Sequence, residues 1–179
     1  MKTKQKNKIL LVLFVCLSIS FVLSFENCTN KKDVNEKKFI EKHTVKSNAD
    51  NGLFFYENLA KTVDSLNIIN VSIWYNNQLA DNYLNDFSLN KVEEILNETN
   101  KLIENKEESE YTADFHRITG DFLNYSARYD SSITHYQKAL EIAEKLKIEN
   151  KILFEIYIGL ANHWFYQNDF DESLIYIYI

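Results

Sequence analysis

The sequence contains no proline, only three glycines and only two cysteines among its 179 residues. The scarcity of proline and glycine argues against a turn-rich β fold and is typical of a chain built from helices. Cys16 and Cys28 both lie near the N-terminus, so the sequence offers neither a disulfide framework nor a zinc site. Arginine is also scarce, because Arg117 and Arg128 are its only occurrences.

The chain has few basic residues beyond its first eight positions. Four of its 20 basic residues are Lys2, Lys4, Lys6 and Lys8. Without them, 16 basic residues face 26 acidic ones, and the formal charge changes from −6 to −10. Because phosphate binding needs clustered lysine and arginine, this balance predicts no nucleic-acid partner.

The first 25 residues resemble an export signal. Their basic start is followed by 17 uncharged and mostly apolar residues at positions 9–25, which is typical of a signal peptide and just long enough for a membrane anchor. Either interpretation places the rest of the chain outside the cytoplasm, in the cell envelope or secreted. Membrane contact would then involve this segment alone. A lipoprotein acylated at Cys28 is a third interpretation, although the residues before Cys28 do not suit it.

Residues 26–50 are polar and rich in lysine, and they show no hydrophobic periodicity. This composition predicts a disordered linker. From position 51 onward, apolar residues recur every three or four positions: Leu53, Tyr56, Leu59, Val63 and Leu66. The spacing predicts a helix over 51–68, which is either half of a repeat or a cap.

Four columns of residues recur with one period in the rest of the chain. Their members are separated by 40 and then 41 residues: Ala80, Gly120 and Ala161; Leu89, Tyr129 and Phe170; Val92, Ser132 and Ser173; and Leu96, Tyr136 and Ile177. A shared period of this length predicts an array of helical repeats. We place the repeats at 71–106, 109–148 and 150–179, the last of them truncated.

Each repeat is predicted to contain two helices joined by a tight turn. The expected helices run over 71–85, 89–104, 110–125, 130–147 and 151–167, with a last one starting at 169. Polar residues at helix starts are candidate N-caps: Ser109, Asp130, Asn150 and Asp169.

The repeated residues resemble those of the tetratricopeptide repeat family. The family's pattern is W-x2-L-G-x2-Y, then A-x3-F, then a closing A. Its slots correspond here to Asn76, Leu79, Ala80, Tyr83, Val92, Leu96 and Thr99; to His116, Thr119, Gly120, Leu123, Ser132, Tyr136 and Ala139; and to Tyr157, Leu160, Ala161 and Trp164. The period exceeds the family's 34 residues, so each helix is expected to be about one turn longer.

The resemblance implies an all-α fold over residues 51–179, in which antiparallel helix hairpins stack into a right-handed α-solenoid. It also implies a set of residues that pack the repeats together: Leu79, Ala80, Tyr83, Gly120, Leu123, Tyr129, Tyr136, Ala139, Leu160, Ala161, Trp164, Phe170 and Ser173. In the family, a partner peptide lies in a concave groove formed by the first helix of each repeat. By register, the groove residues here are Trp74, Asn77, Asp81, Leu84, Asp114, Arg117, Asp121, Asn124, Tyr125, Glu155, Ile158, Asn162, Phe165 and Tyr166.

No catalytic or metal-binding constellation is present in the sequence. His116 occupies a slot that an aromatic fills in the family, and His135 and His163 lie on different predicted helices without metal-ligand spacing. His43 falls in the predicted linker. We therefore predict no enzyme, no cofactor and no metal. A carboxylate-clamping groove is also excluded, because Arg117 would be its only basic residue.

The resemblance implies recognition rather than chemistry. The first hypothesis is a scaffold outside the cytoplasm that binds a protein or peptide in its groove. The alternative is the extracytoplasmic sensory part of a longer signalling protein, such as a histidine kinase or a transcriptional regulator.

The sequence ends in six consecutive apolar or aromatic residues, at positions 174–179. A helix that is hydrophobic on all sides belongs in an interior. We therefore expect the natural protein to continue beyond this point. Self-association through the uncapped C-terminal helix is the alternative.

Overall fold

A computed structural model describes residues 36–43, 52–66, 68–149 and 151–178. Every regular element within these ranges is an α-helix, as the scarcity of proline and glycine predicts. None of these helices combines the length and the apolar composition that a membrane crossing requires. The chain divides into two compact units, Met1–Val45 and Lys46–Ile179.

The first unit contains a helix where the sequence predicted a disordered linker. Residues 36–43 form this helix, α1, so the prediction is wrong for that part of 26–50. The rings of Phe39 and His43 are in contact, with centroids 4.1 Å apart, and His43 Nδ1 lies 2.6 Å from the Phe39 carbonyl oxygen. Such contacts between positions four apart support a helix locally. The predictions for residues 1–25 lie outside the described ranges.

Seven helices form the described part of the second unit: α2 (Gly52–Leu66), α3 (Ile69–Asn85), α4 (Leu89–Ile103), α5 (Glu110–Tyr125), α6 (Tyr129–Leu146), α7 (Lys151–Tyr166) and α8 (Phe170–Ile177). Their bounds fall within two residues of the predicted ones. From α2 onward every helix contacts the next one along the chain. In addition, α5 contacts both α3 and α7.

The turns inside the three helix pairs α3–α4, α5–α6 and α7–α8 are built alike. Each turn contains one residue with a positive φ, namely Phe87, Ala127 or Asn168. The N–H of the residue that follows donates to the carbonyl five positions back, at 2.9, 2.8 and 2.9 Å. This bond satisfies one of the last free carbonyls of the preceding helix. The three turns are 40 and 41 residues apart, so the geometry repeats with the period of the sequence.

Small residues allow the two helices of a pair to approach closely. The hydroxyl of Ser132 donates to the carbonyl of Gly120 at 2.9 Å, and that of Ser173 donates to Ala161 in the same way, also at 2.9 Å. Both bonds connect a second helix to the first helix of its own pair. The equivalent position in the earliest pair is Val92, which has no hydroxyl to donate.

Two glycines make room for one aromatic ring. Tyr136 is fully buried, and a Cβ atom at Gly120 or at Gly159 would lie 2.7 or 2.5 Å from its Cε1. Carbon atoms cannot come so close without displacing one another in a densely packed interior. The ring of Tyr136 therefore fits between α5 and α7 because both contact positions lack a side chain.

Two of the predicted N-caps are confirmed. Ser109 Oγ accepts from the Thr112 N–H at 3.3 Å, and Thr112 Oγ1 accepts from the Ser109 N–H at 2.8 Å. Asp169 accepts from the Glu172 N–H at 3.2 Å. These bonds satisfy N–H groups that a helix start leaves free.

The prediction of Asp130 as an N-cap is wrong. Helix α6 begins at Tyr129 and has Arg128 in the cap position, without a side-chain cap bond. Asp130 lies in the first turn instead, where a negative charge favours the helix through its dipole. Asn150 lies outside the described ranges.

Most of the predicted packing residues lie in the interior. The buried ones are Ala80, Tyr83, Gly120, Leu123, Tyr136, Ala139, Leu160, Ala161 and Ser173, and the half-buried ones are Leu79, Tyr129 and Trp164. The prediction is wrong for Phe170, whose surface is 53% exposed. Tyr129, in the same repeat column, is covered by the ring of His163 at 6.1 Å. In the described ranges, no helix pair follows α8 to cover Phe170 similarly.

Candidate functional site

The first helices of the three pairs lie side by side. Because α5 contacts both α3 and α7, residues predicted from all three helices come together. We call the surface they share the α3–α5–α7 face. Its charged cluster consists of Arg117 and the four acidic residues around it: Asp81, Asp114, Asp121 and Glu155.

Arg117 lies at the centre of this face. Its Nε is 2.8 Å from Asp114 Oδ1, and its Nη1 is 2.8 Å from Asp121 Oδ2, both on its own helix. Its Nη2 is 3.3 Å from Asp81 Oδ1 on α3, and its Nε is 3.6 Å from Glu155 Oε2 on α7. One guanidinium group thus joins three helices. The side chains of Arg117 and Asp114 are only 7% and 8% exposed, so water screens this pair weakly.

Burial shifts the pKa values of the cluster. It raises the pKa of Asp114 and raises the pKa of Asp121 to about 6, although Arg117 lowers both in part. Burial alone would lower the pKa of Arg117, but its four carboxylate neighbours raise it overall. The hydroxyl of Tyr136 also donates to Asp121 Oδ1, at 2.6 Å, and so connects the cluster to α6. One permanent arginine charge is therefore set against four carboxyl groups.

Two buried amide oxygens on the face have no hydrogen-bond partner among the described residues. They are Oδ1 of Asn77 and Oδ1 of Asn124. The amide nitrogen of Asn77 donates to the Tyr111 carbonyl at 2.8 Å and to Asp114 Oδ2 at 3.3 Å, so the terminal amide lies within the cluster. A buried acceptor without a donor costs about 1–3 kcal/mol and needs an explanation.

Exposed aromatic rings lie next to the charged cluster. We call Phe87, Tyr125, Tyr166 and Phe165 the aromatic row; each is at least half exposed. The rings of Phe87 and Tyr125 are 5.8 Å apart, and those of Phe165 and Tyr166 are 6.1 Å apart. Burial raises the pKa of Tyr125, and the charges of Tyr166, Asp121 and Asp81 raise it further. Tyr125 lies one turn after Asp121 on α5.

Six of the predicted groove residues are buried: Trp74, Asn77, Leu84, Asp114, Arg117 and Asn124. Trp74 packs edge-on against Tyr56 of α2 at 6.0 Å, Leu84 belongs to the core beneath α4 and α5, and Asn77 is only 1% exposed. The prediction of these six as surface-lining is wrong. Trp74 packs against α2, Leu84 and Asn77 pack towards α4 and α5, and Asp114 and Arg117 are buried within their own ion-pair cluster. By contrast, Ile158 and Asn162 are exposed on α7, as predicted for a surface.

Sequence reasoning missed Phe87. It lies in the α3–α4 turn with φ of 55°, whereas Ala127 and Asn168 occupy the equivalent positions in the other pairs. A large aromatic residue rarely adopts this backbone conformation. The sequence did contain a signal for Phe87, because it is a bulky residue at a repeat position where the other pairs have a small or polar one.

Two histidines from different helices of one pair meet outside this face. His116 Nδ1 and His135 Nδ1 are 3.1 Å apart, so that one ring must donate and the other must accept. Burial, together with the charges of His135 and Lys138, lowers the pKa of His116 to about 4. Among the described residues, no group of three or more histidine, cysteine, aspartate or glutamate side chains is arranged to hold a metal ion.

The histidine pair predicts a loss of stability in acid. Unfolded His116 takes up a proton near pH 6.5, whereas folded His116 does so only near pH 4. Stability is therefore fully present above pH 6.5 and falls as the pH drops towards 4. Because His116 is partly exposed, we expect this residue to contribute a loss of about 2 kcal/mol. Urea unfolding at several pH values should show that His116→Phe loses less stability than the parent over this range.

Gln137→Ala, at an exposed and uncharged position on α6, is the matched control and should keep the parent's pH dependence. Equal acid sensitivity in His116→Phe and the parent would contradict the prediction.

The fold and the site together define an all-helical protein with a charged face bordered by exposed aromatic rings. No protein-family profile, no curated protein and no solved structure matches this chain. A functional assignment therefore depends on the residues of the α3–α5–α7 face.

Proposed function

We propose that this chain is a tetratricopeptide-like scaffold that binds a peptide or protein segment on the α3–α5–α7 face. The repeated turns and the contacts of α5 with α3 and α7 support an array of antiparallel hairpins stacked in one direction. In such a right-handed solenoid, the first helices line the concave groove. The proposal applies equally to an independent scaffold and to the sensory part of a longer signalling protein.

The aromatic row is the observation that carries this proposal. Aromatic residues are enriched at the centres of protein interfaces, and contiguous exposed apolar patches mark binding surfaces. Here rings from successive helix pairs lie together beside the charged cluster. An extended segment that crosses the first helices would contact both features at once.

Selection of a random dodecapeptide display library against the full chain tests this function. We expect enriched peptides to bind the parent specifically in fluorescence anisotropy. The variant Phe87→Ala/Tyr125→Ala/Tyr166→Ala should bind them at least about tenfold more weakly, since interface aromatics commonly contribute more than about 1 kcal/mol each.

Phe54→Ala/Leu146→Ala/Tyr178→Ala removes three large side chains that are exposed elsewhere and serves as the matched control. It should bind like the parent. If no peptide is enriched, or if both triple variants bind equally well, the proposed function is wrong.

A further inference from the structure

The α3–α5–α7 face carries more negative charge than its own cations neutralise. Four carboxylates surround Arg117, and among the described residues only Lys151 adds a second cation, with its Nζ 2.9 Å from Glu155 Oε1. Lys151 is a surface residue, because its side chain is 81% exposed. The face therefore keeps a surplus of at least two negative charges when all four carboxylates are ionised.

The surplus is accessible to another molecule. The side chains of Asp81, Asp121 and Glu155 are 38%, 23% and 26% exposed, whereas Arg117 lies beneath them at 7%. Asp81 contacts Arg117 through Oδ1 alone, so its Oδ2 can accept from another donor. The three carboxylates form a rim above the buried guanidinium group.

One asparagine oxygen near the rim lacks a donor among the described residues. Asn124 lies one turn after Asp121 on α5 and is 7% exposed, and its Oδ1 has no hydrogen-bond partner within the described ranges. Asn77 Oδ1 is also unpartnered there, but Asn77 lies in the interior and does not face a ligand. The oxygen of Asn124 is an acceptor, and donors are what ammonium and guanidinium groups offer. A carboxylate or phosphate ligand would supply only more acceptors.

The aromatic row adds a second requirement that the binding partner must meet. Tyr125 lies one turn after Asp121 on α5, and its ring is 5.8 Å from that of Phe87. Aromatic faces attract cations and also pack apolar side chains. A bare cation would use the rim and leave the exposed rings of the row uncovered.

Building on the proposed function, we propose that the partner is a peptide segment with a lysine or arginine next to apolar side chains. The cationic side chain enters the rim of Asp81, Asp121 and Glu155 and donates to their free lone pairs. The neighbouring apolar side chains cover the aromatic row. Charge complementarity selects the partner, and the rings hold it in place.

Four acetylated and amidated nonapeptides test this inference against the full chain. They share leucine and phenylalanine flanks and differ at the central residue, which is lysine, arginine, norleucine or glutamate. We expect the lysine and arginine peptides to bind about 10- to 100-fold more tightly than the norleucine peptide. This is the change in affinity that a hydrogen bond to a charged group typically contributes. Added salt should reduce this preference.

Asp81→Asn/Glu155→Gln should remove the preference for the cation and leave norleucine-peptide binding unchanged. Glu98→Gln/Glu144→Gln removes two exposed acids on α4 and α6 and should keep the preference. Should the first variant fail to fold in thermal melts, the lysine-to-norleucine comparison on the parent still decides.

The outcomes separate this inference from the proposed function. If the lysine and norleucine peptides bind equally well and both still depend on the aromatic row, the proposed preference for a cationic side chain is wrong and the scaffold function stands. Binding of no peptide through the aromatic row would overturn the function itself. If spermidine displaces the lysine peptide as effectively as unlabelled lysine peptide does, the site takes small amines and the peptide class is wrong.

Discussion

Replacement of Arg117 by methionine is expected to destabilise the folded protein by about 3–5 kcal/mol. The substitution keeps a long apolar stem but removes the only charge that Asp114, Asp121 and Asp81 share. Asp114 would then be a buried carboxylate without a cation, and a carboxylate in that situation is strongly unfavourable. Urea unfolding at pH 7, followed by circular dichroism, measures the loss.

The pH dependence provides a second signature of this variant. Without Arg117, the pKa values of Asp114 and Asp121 rise further above their unfolded values, because the group that lowers them is gone. The folded variant then binds more protons than the folded parent does, so its stability deficit relative to the parent should shrink as the pH falls from 7 towards about 5.

The other arginine of the chain supplies the matched control. Arg128 has a side chain that is 49% exposed and lies 4.0 Å from Glu93, so Arg128→Met should cost less than about 1 kcal/mol. A loss of similar size in both variants would show that the buried cluster has no special role in stability.

Replacement of Tyr136 by alanine is expected to cost about 3–5 kcal/mol, the range for truncation of a large buried ring. The ring fills the space between Gly120 and Gly159, and its hydroxyl donates to Asp121. Tyr157→Ala, which truncates a half-buried tyrosine on α7, should cost less. The loss should appear as a lower midpoint of urea unfolding.

A glycine substitution tests the same contact, because its effect on stability should change sign when the ring of Tyr136 is removed. In the parent, Gly159→Ala should destabilise by about 1–3 kcal/mol, because the new Cβ overlaps the Tyr136 ring. In the Tyr136→Ala background the same change should stabilise by up to about 1 kcal/mol, the usual helix preference for alanine over glycine. If Gly159→Ala stabilises both backgrounds, the ring does not lie where we place it.

The helices and their turns were predictable from the sequence because they depend on local and periodic signals. Ser109 and Asp169 begin helices as their side chains predict, and the repeat columns place Gly120 and Ser132 in contact. Gly159 was missed because it stands in no repeated column. Its close contact with Tyr136 depends on which helix pair follows, and a repeat pattern does not encode that.

The sequence predicted which residues form the charged cluster better than it predicted how they are arranged. The family register selected Asp81, Arg117 and Glu155 from three separate helices, and the structure brings them together. The family register did not reveal that one arginine contacts all four acidic residues, because a linear pattern contains no distances between helices. Trp74 was assigned to the surface because the sequence does not show that α2 packs over it.

The position of Tyr136 determines how the unfolding of this unit is coupled. In repeat arrays, stability is approximately a sum of terms for each repeat and for each interface between neighbours. Tyr136 contributes to its own pair through Gly120 and to the next pair through Gly159, and Arg117 adds ion pairs in both directions along the array. Coupling across both interfaces opposes fraying from either end, so we expect the three pairs to melt as one cooperative block instead of one after another.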